Sequence, residues 1–197
     1  MTADPDASAL GLAGTPAAPA RASGVEASAQ RGVAVSGVHC EEELRESPGY
    51  PDLERLQKGG VAVIECVQDI PCNPCELACR QGAIRVGLPI TNLPVLNEED
   101  CSGCGLCIAA CPGLAVFVVD LNYSETEAIV TFPYEYLPVP QVGDVVEAVG
   151  REGEPVTKGR VTRVQNPLSF NRTAVVTIAV PKEYGGVVRS ITRRREA

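Results

Sequence analysis

The sequence predicts an α+β chain: a small cysteine-rich domain of two repeated halves, followed by a small antiparallel β barrel or sandwich. Three observations predict it. Eight of the nine cysteines stand in two compact runs, Cys66 to Cys79 and Cys101 to Cys111. The residues after each run follow one plan, offset by 32 positions from Cys79 to Cys111. Beyond Asp120 no cysteine or histidine occurs, and short β-branched runs alternate with Pro and Gly turns, the pattern of a small all-β unit.

Taken in order, residues 1–32 are mostly Ala, Gly, Pro and Ser. They carry too little apolar surface to offset ordering, so a disordered tail is expected. Residues 33–59 read as a linker or partner-contacting segment, with a short strand at 33–38 if something covers it. His39 and Cys40 stand before the acidic run Glu41-Glu42-Glu43, with no partners at metal-ligand spacing; a free thiol beside a solvated imidazole is the plain reading. The domain proper spans 60–120. It opens on a β-branched strand, Gly60 to Glu65. Cys79 to Val86 reads as a brief helix, a turn at Gly82 and a returning strand, and Cys111 to Val119 is its counterpart. The Pro-rich insert Gly87 to Leu96 reads as an ordered loop. Residues 121–197 form the β-rich domain, with strands expected at 128–132, 145–149, 156–164 and 173–180 and a basic tail at Arg193-Arg194-Arg195. Tyr134 and Tyr136 are candidate stacking residues, the plainer reading being packing beneath the loop Pro133 to Pro140.

The second cysteine run is C-x2-C-x2-C-x3-C-P: Cys101, Cys104, Cys107, Cys111 and Pro112. That spacing holds a [4Fe–4S] cubane. Three thiolates two residues apart let a short loop wrap one face of a cube, with Gly103 and Gly105 letting the backbone approach. The fourth cysteine, expected to start the next helix, points away from that cube. The first run, Cys66, Cys72, Cys75 and Cys79, is stretched to C-x5-C-x2-C-x3-C. Asp69 occupies the place where even spacing would put a thiol. Cys66 as ligand across a longer loop, and a three-iron cluster with Asp69 or water at the open corner, are both readings of that stretch; Cys40 is a reserve ligand. Arg80 replaces the proline that usually follows the run, and a cation there should raise the cluster potential. Zinc ribbons share the paired C-x2-C but have no use for a third thiol two residues on.

Residues 61–119 resemble the bacterial two-cluster ferredoxin family. The resemblance implies a ferredoxin-like fold with a pseudo-twofold repeat, in which each fourth cysteine ligates the distant cluster. It implies Cys101, Cys104, Cys107 and Cys79 around the second cluster, and Cys72, Cys75, Cys111 and one further thiolate around the first; Cys66 is taken as that ligand, because soft sulfur suits the iron–sulfur core better than the Asp69 carboxylate does. The stretch from Ile64-Glu-Cys-Val-Gln-Asp-Ile-Pro-Cys-Asn-Pro-Cys through Pro-Ile-Thr-Asn-Leu-Pro-Val-Leu to the β tail also resembles the small subunits of multi-subunit flavin dehydrogenases acting on imino acids or amines, of the hydroxyproline or proline type. That implies a partner carrying FAD, a further one carrying a [2Fe–2S] centre, and a hetero-oligomer. No G-x-G-x-x-G follows a strand here, so flavin is expected only in the partner.

Charge narrows the partners. Residues 1–120 hold 16 acidic and 7 basic side chains, and residues 121–197 hold 9 and 10. An acidic first part steers toward basic protein surfaces and away from nucleic acid. No apolar run reaches membrane-spanning length, and the start of the chain lacks the pattern of a secretory signal, so a cytoplasmic protein is expected. No general base stands out, so the chain reads as a non-catalytic electron-transfer subunit, relaying single electrons between a flavoprotein dehydrogenase and an acceptor. A freestanding ferredoxin is the alternative, and an iron–sulfur nucleic-acid-binding protein a more distant one.

Overall fold

The computed structural model describes residues 32–193; the expected tail at 1–32 lies outside them, Gly32 apart. Three short helices come first: α1 (Val33–Ser36), α2 (Glu41–Glu46) and α3 (Leu53–Leu56). Residues 33–36, which would be a short strand if something covered 33–38, form a helical turn in the chain by itself. Gly37, with φ 74°, closes it in the left-handed conformation, and both Glu43 carboxylate oxygens accept the Val33 N–H (3.1 and 3.2 Å). Leu44 and Leu56 are buried, anchoring this segment to the rest of the fold.

The cysteine-rich part comes next, as β1 (Val61–Ile64), α4 (Pro74–Ala78), β2 (Ile84–Arg85), β3 (Val95–Leu96), α5 (Leu106–Ala110) and β4 (Val116–Asp120). β1 pairs with β4 and β2 with β3, both antiparallel. The 32-residue shift carries α4 onto α5 and Ile84–Arg85 onto the start of β4. The loop at 87–94 closes on β3, and Gly82 makes its turn at φ 67°.

Beyond Asp120 come β5 (Glu127–Tyr134), β6 (Val145–Val149), β7 (Pro155–Gln165), β8 (Ala174–Pro181) and β9 (Ser190–Ile191). Four of these fall where β-branched residues cluster; β9 is too short to leave a sequence signal. They do not stand apart from the cysteine-rich half. β4 pairs with β5 (Val118 opposite Thr131), giving one antiparallel seven-stranded sheet in the order β1-β4-β5-β8-β7-β6-β9.

The pleat explains how one strand pair serves two cores. Side chains alternate faces along a strand. Val61, Val63, Phe117 and Val119 pack with Val130, Phe132, Ile178 and Val161 of the tail. Ala62, Ile64, Val116 and Val118 turn to the other face and pack with Cys75, Ile84, Cys107 and Ile108. Buried on both faces, β1 and β4 read as continuous apolar runs. No helix among the described residues is long and apolar enough to cross a membrane.

Candidate iron–sulfur centres

Each short helix begins one residue before the third cysteine of its run and ends just before the fourth. Pro74 opens α4 with a ready-made φ. Cys75 sits within that helix and Cys79 caps its C-terminal end; Cys107 and Cys111 hold the matching places on α5. The fourth cysteine therefore ends a helix rather than starting one, and one helical turn is what swings it away from its own run.

The thiols gather around two cavities. One, of about 280 Å³, is lined by Cys66, Cys72, Cys75 and Cys111, with Ile64, Val67, Ile70, Pro94 and Val116 as apolar wall. A smaller one is lined by Cys79, Cys101, Cys104 and Cys107. Each thus borders three thiols of one run and the fourth thiol of the other. Cys66 lies on the first cavity, whereas Asp69 is exposed and not part of its wall. Cys40 is not on it either, although His39 is. Among the described residues, no three His, Cys, Asp or Glu side chains stand close enough to hold a single metal ion.

Backbone donors point at the sulfurs. Ala62 N–H donates to Cys101 Sγ (3.4 Å) and Ala115 N–H to Cys111 Sγ (3.5 Å). Gly103 and Gly105 hold φ of 66° and 77°. Arg55, which no sequence signal marked, fixes the entry to the second loop. It donates to the carbonyls of Glu98 (2.9 Å), Gly59 (3.1 Å) and Cys101 (2.8 Å). Glu76 of α4 accepts the N–H groups of Val86 and Gly87 (3.1 Å each), tying that helix to the turn after β2.

Electrostatics tests whether a cluster fits. Burial, then the neighbouring thiols Cys111 and Cys72, pushes the Cys66 thiol up. Burial, then Cys111, pushes Cys75 to about 11. Burial, then Cys101 and Cys104, pushes Cys107 to about 12. The protein alone thus holds these sulfurs as neutral thiols. A cationic iron core is what would draw off their protons and stabilise four thiolates in an apolar wall. Four soft donors and one inward N–H at each site, with the left-handed Gly103 and Gly105 at the second, are the chemistry a cubane needs.

Comparison with known proteins agrees on the chemistry of the second run. A family model described as a 4Fe–4S binding domain matches residues 94–117. The chain is 32% identical over 110 residues to Protein Pixie of Drosophila melanogaster, covering 46% of this chain and 17% of that protein. It is 36% identical over 58 residues to the ferredoxin-type protein NapF of Haemophilus influenzae, covering 28% of this chain and 33% of that one. It is 48% identical over 48 residues to the polyferredoxin-like subunit of an aliphatic sulfonate oxidoreductase of Pyrococcus furiosus, covering 24% and 27%. The chain thus spans between about a sixth and a third of the length of these curated relatives. No solved structure matches it. Residues 94–117 are a ferredoxin-type 4Fe–4S binding segment.

The tail's tyrosines separate. Tyr134 is buried and meets Tyr136 edge-on at 5.7 Å, while Tyr136 is half exposed beneath the Arg193 guanidinium. Arg194 and Arg195 lie outside the described residues.

Proposed function

We propose that this chain is an electron-transfer subunit carrying two [4Fe–4S] clusters. Cys66, Cys72, Cys75 and Cys111 hold the first, and Cys101, Cys104, Cys107 and Cys79 the second. The observation that carries the reading is the exchange of fourth cysteines between two four-thiol cavities, which the packing of α4 against α5 makes possible. Bound there, each cluster supplies a one-electron site that rearranges little on reduction. The chain's own residues do the rest. The thiolates fix the sites, the N–H groups of Ala62 and Ala115 stabilise charge on sulfur, and Ile64, Val116 and Val118 exclude water between the sites.

Electrons pass between a partner flavoprotein dehydrogenase, which holds the FAD, and an onward acceptor, in a hetero-oligomer. The polyferredoxin-like relative is named as a subunit of an oxidoreductase, which supports such a setting. The acidic bias of residues 1–120 suits a basic docking surface. The test is anaerobic purification of the untagged native protein. The expected result is a flavin-containing chain that co-elutes and reduces the clusters when given its substrate. A protein that elutes alone, with no flavin in its fractions at low or physiological salt, would overturn the subunit reading in favour of a free carrier.

A further inference from the structure

Between the first cavity and the far half of the sheet lies a buried charge cluster that the cysteine runs do not account for. Glu65 is 5% exposed and faces two guanidiniums from beyond Asp120. Arg151 donates through Nε to Oε2 (2.9 Å) and through Nη2 to Oε1 (2.5 Å). Arg189 donates through Nε to Oε1 (2.6 Å) and through Nη1 to the Val188 carbonyl (2.6 Å). Its guanidinium also lies over the Phe117 ring, 5.2 Å from the centroid, and its buried Nη2 has no hydrogen-bond partner.

One carboxylate against two guanidiniums leaves a net positive charge inside the protein. Apolar residues of similar size often stabilise a fold as well as such a triad does, so stability alone gives no reason for it.

Its position gives one. Glu65 precedes Cys66 and lines the same cavity as the four thiols of the first site. Its N–H donates to the Ala115 carbonyl (2.8 Å), and the Ala115 N–H donates to Cys111 Sγ. None of the three charged residues lines the second cavity. Reduction adds negative charge to a cluster, and a fixed cation behind a low-dielectric wall favours the reduced form. Arg80, the cation that sequence spacing points to, is exposed and screened by water.

We propose that Arg151 and Arg189, oriented by Glu65, are positioning residues that raise the potential of the first cluster selectively. An electron shared between the two sites is thereby biased toward the first, and the far half of the sheet becomes part of the redox site. The inference rests on the two-cluster reading above.

The test is an anaerobic redox titration of the full-length holoprotein followed by electron paramagnetic resonance. The first-cluster signal is the one that Cys66→Ala perturbs. Arg151→Gln, at a partly exposed position that keeps Glu65 paired with Arg189, and Arg189→Met should each lower that cluster's midpoint. Arg151→Gln should lower it less, because water screens it more. Glu65→Gln should raise it, and Glu65→Gln combined with Arg151→Gln, which restores the net charge, should return it close to the parent value. The second midpoint should stay put throughout. Simple loosening of the fold would shift the first midpoint the same way in every variant, or shift both midpoints, and either result overturns the inference. Two clusters with unmoved potentials overturn it alone. A preparation with a single cluster on the second run overturns the two-cluster reading and this inference with it.

Discussion

Replacing Gly103 with alanine measures how closely the second cysteine loop is set against the start of β1. Gly103 has φ +66°, and a Cβ there would stand 2.5 Å from the Gly60 carbonyl oxygen and 2.8 Å from its carbon. Backbone cannot swing aside as a long side chain can, so the loop itself must shift. A left-handed non-glycine residue costs about 1–2 kcal/mol. Forcing a methyl group into filled space adds about 1–3 kcal/mol. The total of about 2–5 kcal/mol falls on the segment from Cys101 to Cys104, by the same two effects. Gly105→Ala is the control: φ is +77° and the nearest neighbour, Ile108 Cδ1, is 3.5 Å away, an ordinary contact. Gly82→Ala is the same control in the first half, with φ +67° and nothing within 4 Å. Both controls should lose only the backbone part, about 1–2 kcal/mol. The assay is anaerobic denaturant titration of the holoprotein, followed by circular dichroism and by cluster absorption. Gly103→Ala should have the lowest midpoint and release the second cluster first. Equal losses from all three substitutions would refute the close approach of Gly103 to Gly60.

Three further outcomes rest on the same geometry. Cys79→Ala should damage the cluster seated mainly in the second run and Cys111→Ala the one in the first, as resonance spectra of each variant would show; damage confined to each cysteine's own run would argue for two independent loops. Asp69→Ala should leave the iron content unchanged while Cys66→Ala lowers it or leaves a three-iron signal, because Cys66 lines the first cavity and Asp69 does not; loss of iron in the Asp69 variant would reverse the assignment. Phe132→Ala, at a fully buried position of β5, should cost about 3–5 kcal/mol by thermal or denaturant melting, and a loss under about 1 kcal/mol would mean that the core shared by β1, β4 and β5 is loosely packed.

The cysteine pattern made the local chemistry legible because spacing alone limits which thiols a short loop can turn inward. The strands β5 to β8 were legible for a similar reason: runs such as Ala174 to Val180 have few other uses for consecutive β-branched residues. Pairing between distant segments was not legible. Nothing in the residues around Asp120 signals that β4 is continued by β5 in one sheet, since register depends on two strands that each look complete alone. The Val33–Ser36 turn was not legible for a related reason. Its valines favour a strand, but the adjacent Gly37 closes a helical turn and the Glu43 carboxylate, ten residues on, accepts the Val33 N–H. The charge cluster was hidden for the same cause: Arg151 and Arg189 lie 86 and 124 residues from Glu65 along the chain, and the three match no short motif.

The most direct test of the central claim is the count of iron and acid-labile sulfide in anaerobically purified, full-length protein. Two cavities of four thiols each predict about eight irons and about eight sulfides per chain. They also predict two reducible signals that interact magnetically through the packed α4–α5 region. About four irons, with one signal unaffected by substitution at Cys66, Cys72 or Cys75, would contradict the two-cluster account.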